Sequence, residues 1–182
     1  LSAPVSAPQA TTWARRLWWV WLAFLPSSLM LGVTSFITNN IASVPFLWIA
    51  PLSLYLLTFV IVFAKRPWVS SKMLGALLPF IIAIAILFTA LGSVITVPAV
   101  IVALISYFIL ALYCHARLAE ARPTASELTS FYIFMSLGGV LGGVANALVA
   151  PLIFDRIIEY ILVMWLISLL LLPGMSWLKK LL

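Results

Sequence analysis

The chain alternates six long apolar stretches with short polar or turn-forming breaks. The stretches run over about 16–38, 46–64, 73–92, 97–115, 128–151 and 157–173. Each is close to the roughly 20 mostly apolar residues that a helix needs to cross a bilayer. Asn39-Asn40 and Pro45 divide the first two, and Lys65-Arg66-Pro67 with Lys72 divide the second from the third. Gly92-Ser93 and Pro98 mark a tight turn, and the segment from Arg117 to Glu127 is the longest polar connection. Pro151 and Asp155-Arg156 precede the last stretch, which Pro173-Gly174 closes. The pattern predicts an all-α integral membrane protein, a bundle of about six transmembrane helices over 13–182. Residues 1–12, rich in Pro, Ala, Ser and Thr, are expected as an extended or disordered tail.

Composition removes the alternatives. Apolar residues make up 65% of the 182, charged residues 8%, and mean hydropathy is +1.25. Soluble domains carry about half apolar and a quarter charged residues, so much of this surface must face something other than water. The net charge of +6 does not suggest nucleic acid, because the ten Lys and Arg are scattered in small groups between apolar runs. Their distribution sets an orientation instead, since positive loops resist translocation. With the N-terminus inside, the inner segments hold Arg15, Arg16, Lys65, Arg66, Lys72, Arg117, Arg122, Lys179 and Lys180, and the outer loops only Arg156. Both termini are therefore expected on the cytoplasmic side. Trp13, Trp18, Trp19, Trp68 and Trp177 fall near the inner interface and Trp48 near the outer one, as an aromatic belt does.

Candidate chemistry is sparse. The strongest signal is Gly138-Gly139-Val140-Leu141-Gly142-Gly143, two small-xxx-small pairs one residue apart. Glycine costs about 1 kcal/mol of helix propensity, which is compensated where another helix backbone must approach closely. One turn later Asn146 is placed to hydrogen-bond across such a seam. His115, Arg117, Glu120 and Arg122 form the one cluster of titratable groups, expected as a cytoplasmic docking loop with Arg117 and Glu120 paired at i,i+3. No span carries a charge at its middle, where ion-coupled transporters commonly place one. The sequence has no metal-ligand spacing, haem motif or Ser/His/Asp set, so neither metal, cofactor nor catalytic residue is expected. Pro26-Ser27-Ser28, Gly32 and Pro51 are able to break helices and keep a transport reading open.

Several stretches resemble the membrane part of the bacterial spermidine-synthase-like membrane proteins, in which a major-facilitator-like domain is fused to a spermidine synthase fold. They are Pro26-Ser27-Ser28-Leu29-Met30-Leu31-Gly32-Val33-Thr34, Ile41-Ala42 through Pro45, Leu47-Trp48, and Pro51 through Phe59. Cys114-His115, Arg122-Pro123, Leu128-Thr129, Phe131-Tyr132, the double glycines, Ala150-Pro151-Leu152 and Glu159-Tyr160 continue the likeness over about 17–172. The resemblance implies a multi-pass protein of the bacterial inner membrane. It does not carry aminopropyl transfer across, because no synthase-like stretch lies within the 182 residues. The expected function is a non-catalytic membrane subunit or anchor. Its partners are the lipid bilayer and other integral membrane subunits or further copies of the chain, without nucleic acid. The alternative is half of a small-solute transporter acting as a dimer.

Overall fold

The computed structural model describes residues 12–41, 46–64, 69–91, 96–153 and 158–171, and every regular element among them is helical. The tail over 1–11, the Lys65–Trp68 break, Asp155-Arg156 and the stretch from 172 onward lie outside the described residues. Helix α1 spans Trp13–Asn40, α2 Ile49–Val62, α3 Ser71–Ala90 and α4 Thr96–Glu120. A 3-10 turn, Ala125–Glu127, leads into α5, Leu128–Val144. A π turn, Ala145–Val149, joins α5 to the short α6, Ala150–Ile153, and α7 is Ile158–Leu169.

Four stretches are long and apolar enough to cross a membrane: Trp13–Asn40, Ser71–Ala90, Thr96–Glu120 and the continuous rod Ala125–Ile153. Helices α2 and α7, of 14 and 12 residues, are apolar but shorter, about 21 and 18 Å at 1.5 Å per residue. The architecture is thus an α-helical bundle whose helices sit where the apolar stretches predict them.

The ends follow local chemistry. Ser70 caps α3, its Oγ accepting the Lys72 backbone N–H at 3.3 Å. Helix α4 does not stop near residue 115, as the hydropathy pattern suggests, but continues to Glu120. Ala116, Arg117, Leu118, Ala119 and Glu120 are all strong helix formers. The breaker is Pro123, which disfavours helical backbone at Arg122 before it. Backbone bonds from Ala121 N–H to Arg117 O and from Arg122 N–H to Ala119 O, 3.1 and 3.2 Å, close the last turn. His115 is consequently a helix-interior residue rather than part of a loop.

Helix α1 is the central post. It packs most extensively against α5, then α4, and also touches α7 and α2, while α3 and α2 lean on α4. Trp19, Leu22, Leu25, Leu29 and Val33 of α1 are fully buried. The start of α1 meets the start of α5 through the edge-to-face pairs Trp13–Phe134 and Trp19–Phe131. It also meets the end of α4, where Trp19 Nε1 donates to Ala121 O at 3.0 Å. At the other end of the bundle Tyr160, near the start of α7, packs on Phe36 and on the backbone at Gly32. Successive long segments therefore alternate in direction. The charged side chains that are described, Arg15, Arg16, Lys72, Arg117, Glu120, Arg122 and Glu127, belong to the helix ends that this alternation gathers on one side. Large apolar side chains of α2, α3 and α5 face outward, among them Val60, Phe80 and Val140, as lipid-facing surfaces do.

Candidate functional site

The two glycine pairs of α5 point in different directions. A Cβ added at Gly138 would collide with the Val20 carbonyl oxygen and the Ala23 Cβ of α1. One added at Gly142 would lie 2.5 Å from Phe24 O and 2.9 Å from Ser27 Cβ. Here the backbones of α1 and α5 touch, and a hydrogen atom is the only side chain that fits. Gly139 is looser, 3.5 Å from Ser27 Oγ, and at Gly143 nothing lies within 4 Å. The structure therefore uses Gly138 and Gly142 inside the chain and leaves the row through Gly139, Gly143 and Ala147 unoccupied at Gly143.

Close approach of α1 and α5 assembles a polar seam. Asn146, in the π turn, donates through Nδ2 to Ser28 Oγ and reaches back to Gly142 O at 3.3 Å. The π turn itself is marked by the Ala150 N–H bonding to Ala145 O five residues earlier. Ser27, one residue before Ser28, shares a 2.9 Å hydrogen bond with the Tyr55 hydroxyl of α2. The sequence marks Ser27 and Ser28 only as part of a possible helix break, whereas here they tie α1 to α2 and α5.

The seam continues along α2 into α4. Thr58 Oγ1 lies 2.6 Å from Tyr55 O and 2.7 Å from Nδ1 of His115, which is wholly buried. A carbonyl only accepts, so the single threonine hydrogen goes to Tyr55 O, and Nδ1 of His115 is assigned as the donor to Thr58. The imidazole is wedged between aromatic rings, 4.0 Å from the Phe59 centroid and 5.1 Å from that of Tyr55. Its Nε2 is buried with no hydrogen-bond partner, as is Oδ1 of Asn146. Further along α4, the Tyr107 hydroxyl donates to Pro51 O at 3.2 Å. Tyr55 and Thr58 stand three residues apart on one face of α2. That polar i,i+3 pair within an apolar helix is the signal that sequence reading passes over.

The residues expected to form one docking loop separate. His115 turns inward. Arg117 folds back on its own helix, donating to the Tyr113 hydroxyl at 3.1 Å with its guanidinium 5.9 Å from that ring. Its Nε approaches Glu120 Oε2 at 3.9 Å, the expected i,i+3 pair, in a loose form with the glutamate exposed and the arginine mostly covered. Such pairs contribute about 0.5 kcal/mol or less. Arg122 follows the helix end, where it and Glu120 line a cavity between α2 and α4.

Chemically the seam offers hydroxyls, a phenol, an amide and an imidazole, each engaged with a neighbouring helix. His115 bonds to Thr58 and to neither Ser27 nor Ser28, so among the described residues no serine–histidine pair forms. Among the described residues there is no group of three or more His, Cys, Asp or Glu able to hold a metal ion. Comparison with known proteins adds no further constraint: no family model, curated protein or solved structure matches the chain.

Proposed function

We propose that the chain is a non-catalytic, multi-pass membrane subunit that packs against other integral membrane proteins or further copies of itself. The observation that carries this reading is the open glycine row. Gly143 has nothing within 4 Å of its Cβ position, beside exposed Val140, Val144 and Ala147. In lipid, helix association depends on van der Waals contact and small residues that let backbones approach. The first glycine pair already performs that task for α1, and the second has the same shape with no described helix of this chain on it. The interior polar groups support the same reading, because Ser27, Ser28, Thr58 and Asn146 tie one helix to another.

In this proposal the chain crosses a bacterial inner membrane six times with both termini in the cytoplasm. The resemblance to the membrane part of spermidine-synthase-like proteins fits such an arrangement.

The test is native mass spectrometry of the protein extracted from its own membrane in mild detergent. A particle well above the 20.0 kDa of the chain is expected, and Gly143→Leu should dissociate it while leaving helicity by circular dichroism unchanged. An intact assembly with that variant overturns the reading. A lone wild-type chain also overturns it and moves the assignment to small-solute transport.

A further inference from the structure

At the charged end of the bundle a cavity of about 300 Å³ opens between the ends of α2 and α4 and the approach to α3. Its walls are Val62, Phe63 and Ala64 from the end of α2, Val69 ahead of α3, and Ala116 and Ala119 from α4. Glu120 and Arg122 line it as well. The apolar part is built for a hydrocarbon or methylene surface: Ala116 and Ala119 are one helical turn apart, and their small side chains leave the room that a larger residue would fill.

The polar part carries both signs of charge. Glu120 ends α4, and Arg122 follows where the chain turns away before Pro123. Arg117, the cation nearest to Glu120 along the helix, is held by the Tyr113 hydroxyl and approaches the carboxylate only to 3.9 Å. Glu120 is therefore not locked into a tight ion pair. Two helices also finish here. The last carbonyls of a helix lack intrahelical partners and carry the negative end of its dipole. The ends of α2 and α4 thus add to Glu120 an environment that favours a cation with N–H donors. Arg122, with its planar fork of donors, suits a phosphate.

We propose that this cavity binds the headgroup of a zwitterionic phospholipid of the phosphoethanolamine class. The primary ammonium is directed to Glu120 at the negative ends of the α2 and α4 dipoles, the phosphate to Arg122, and the start of the lipid chains to Val62, Val69, Ala116 and Ala119. Among the described residues the cavity carries one carboxylate and one guanidinium, which match a ligand with one ammonium and one phosphate; an anionic headgroup would leave Glu120 opposed to it. The site stands apart from the glycine row on α5 and does not depend on the subunit reading.

The experiment is lipid titration of the full chain in detergent, read by native mass spectrometry, with phosphatidylethanolamine, phosphatidylcholine and phosphatidylglycerol as separate probes. Phosphatidylethanolamine is expected to bind about five-fold or more tightly than the other two, a ratio that one charge-assisted hydrogen bond supplies. Glu120→Gln and Arg122→Gln should each remove most of that preference, and Ala119→Leu should abolish binding by filling the cavity. Arg16→Gln removes a cation of the same end that lies against Trp13 and Phe134, and should leave the preference intact. Thermal midpoints by circular dichroism should show that Glu120→Gln and Arg122→Gln remain folded, since both side chains are exposed. Equal binding of the three lipids overturns the proposal, as does a preference that survives both charge substitutions. Competition by soluble phosphoethanolamine at concentrations comparable to the lipid overturns the assignment to a lipid.

Discussion

Gly138 and Gly142 occupy one row along α5, and Gly139 and Gly143 occupy the next, rotated by a single residue. Spacing and composition are identical in the two rows. In the first, α1 comes so close that its carbonyl oxygens at Val20 and Phe24 fill the space a side chain would take. In the second, Gly139 has one ordinary contact with Ser27 and Gly143 has none. The small-xxx-small pattern thus supplies a capacity for close approach, and the rest of the fold decides which row uses it. What selects the first row is polar: Asn146 bonds to Ser28 at the α1 contact and Ser27 bonds onward to Tyr55. The Asn146–Ser28 bond holds the α5 rod at one rotation about its axis, and the second row is left outside as a consequence.

The sharpest way to break this contrast is to put methyl groups on the closed row. Gly138→Ala together with Gly142→Ala should destabilise the chain by about 3 kcal/mol or more, because each forces backbone apart in a packed contact. The measurement is the unfolding midpoint in detergent, and an unchanged midpoint would show that α1 and α5 are not in backbone contact. Next in size is Thr58→Val, which keeps the shape and leaves Nδ1 of His115 buried without a partner. A loss of about 2 kcal/mol is expected, and a neutral outcome in the same unfolding assay would remove Thr58 from the seam. Asn146→Leu should cost about 1 kcal/mol or less, the usual scale of an interhelical hydrogen bond in a membrane. That substitution should also loosen the rotation of α5, so cysteine pairs placed across α1 and α5 should cross-link with less selectivity for one face. The smallest effect belongs to the open row: Gly143→Ala should shift the midpoint by less than about 1 kcal/mol, with helix propensity favouring the alanine. A large loss there would mean that the second row is also closed within the chain.

Much of the fold is legible from hydropathy, because apolar runs bounded by Asn, Pro, Gly and charged residues leave few choices for helix positions. Gly138, Gly142 and Asn146 are legible for a related reason: in a span dominated by large apolar residues, small and amide side chains stand out. His115 is harder. Hydropathy falls at Arg117, suggesting a helix end, but helix propensity carries α4 on to Glu120 until Pro123 intervenes, and the imidazole stays inside. The links through Tyr55, Thr58 and the two serines are non-local: Thr58 meets a residue 57 positions away and Ser28 one 118 positions away. Hydroxyl residues are common in helices and unremarkable by pattern, and only the packing of α1, α2, α4 and α5 brings these four together with their partners.

The π turn at Ala145–Val149 has a consequence for how this chain tolerates changes in length. It fits one residue more into its rise than an α-helical turn would. Deleting a residue there lets the rod close into continuous α-helix, so that α6 keeps its orientation and Gly138 and Gly142 keep α1. Deleting a residue between Gly138 and Gly142 instead rotates everything beyond it by about 100°, and carries Asn146 off Ser28. A one-residue deletion is thus absorbed at one point of the rod and disruptive a turn earlier.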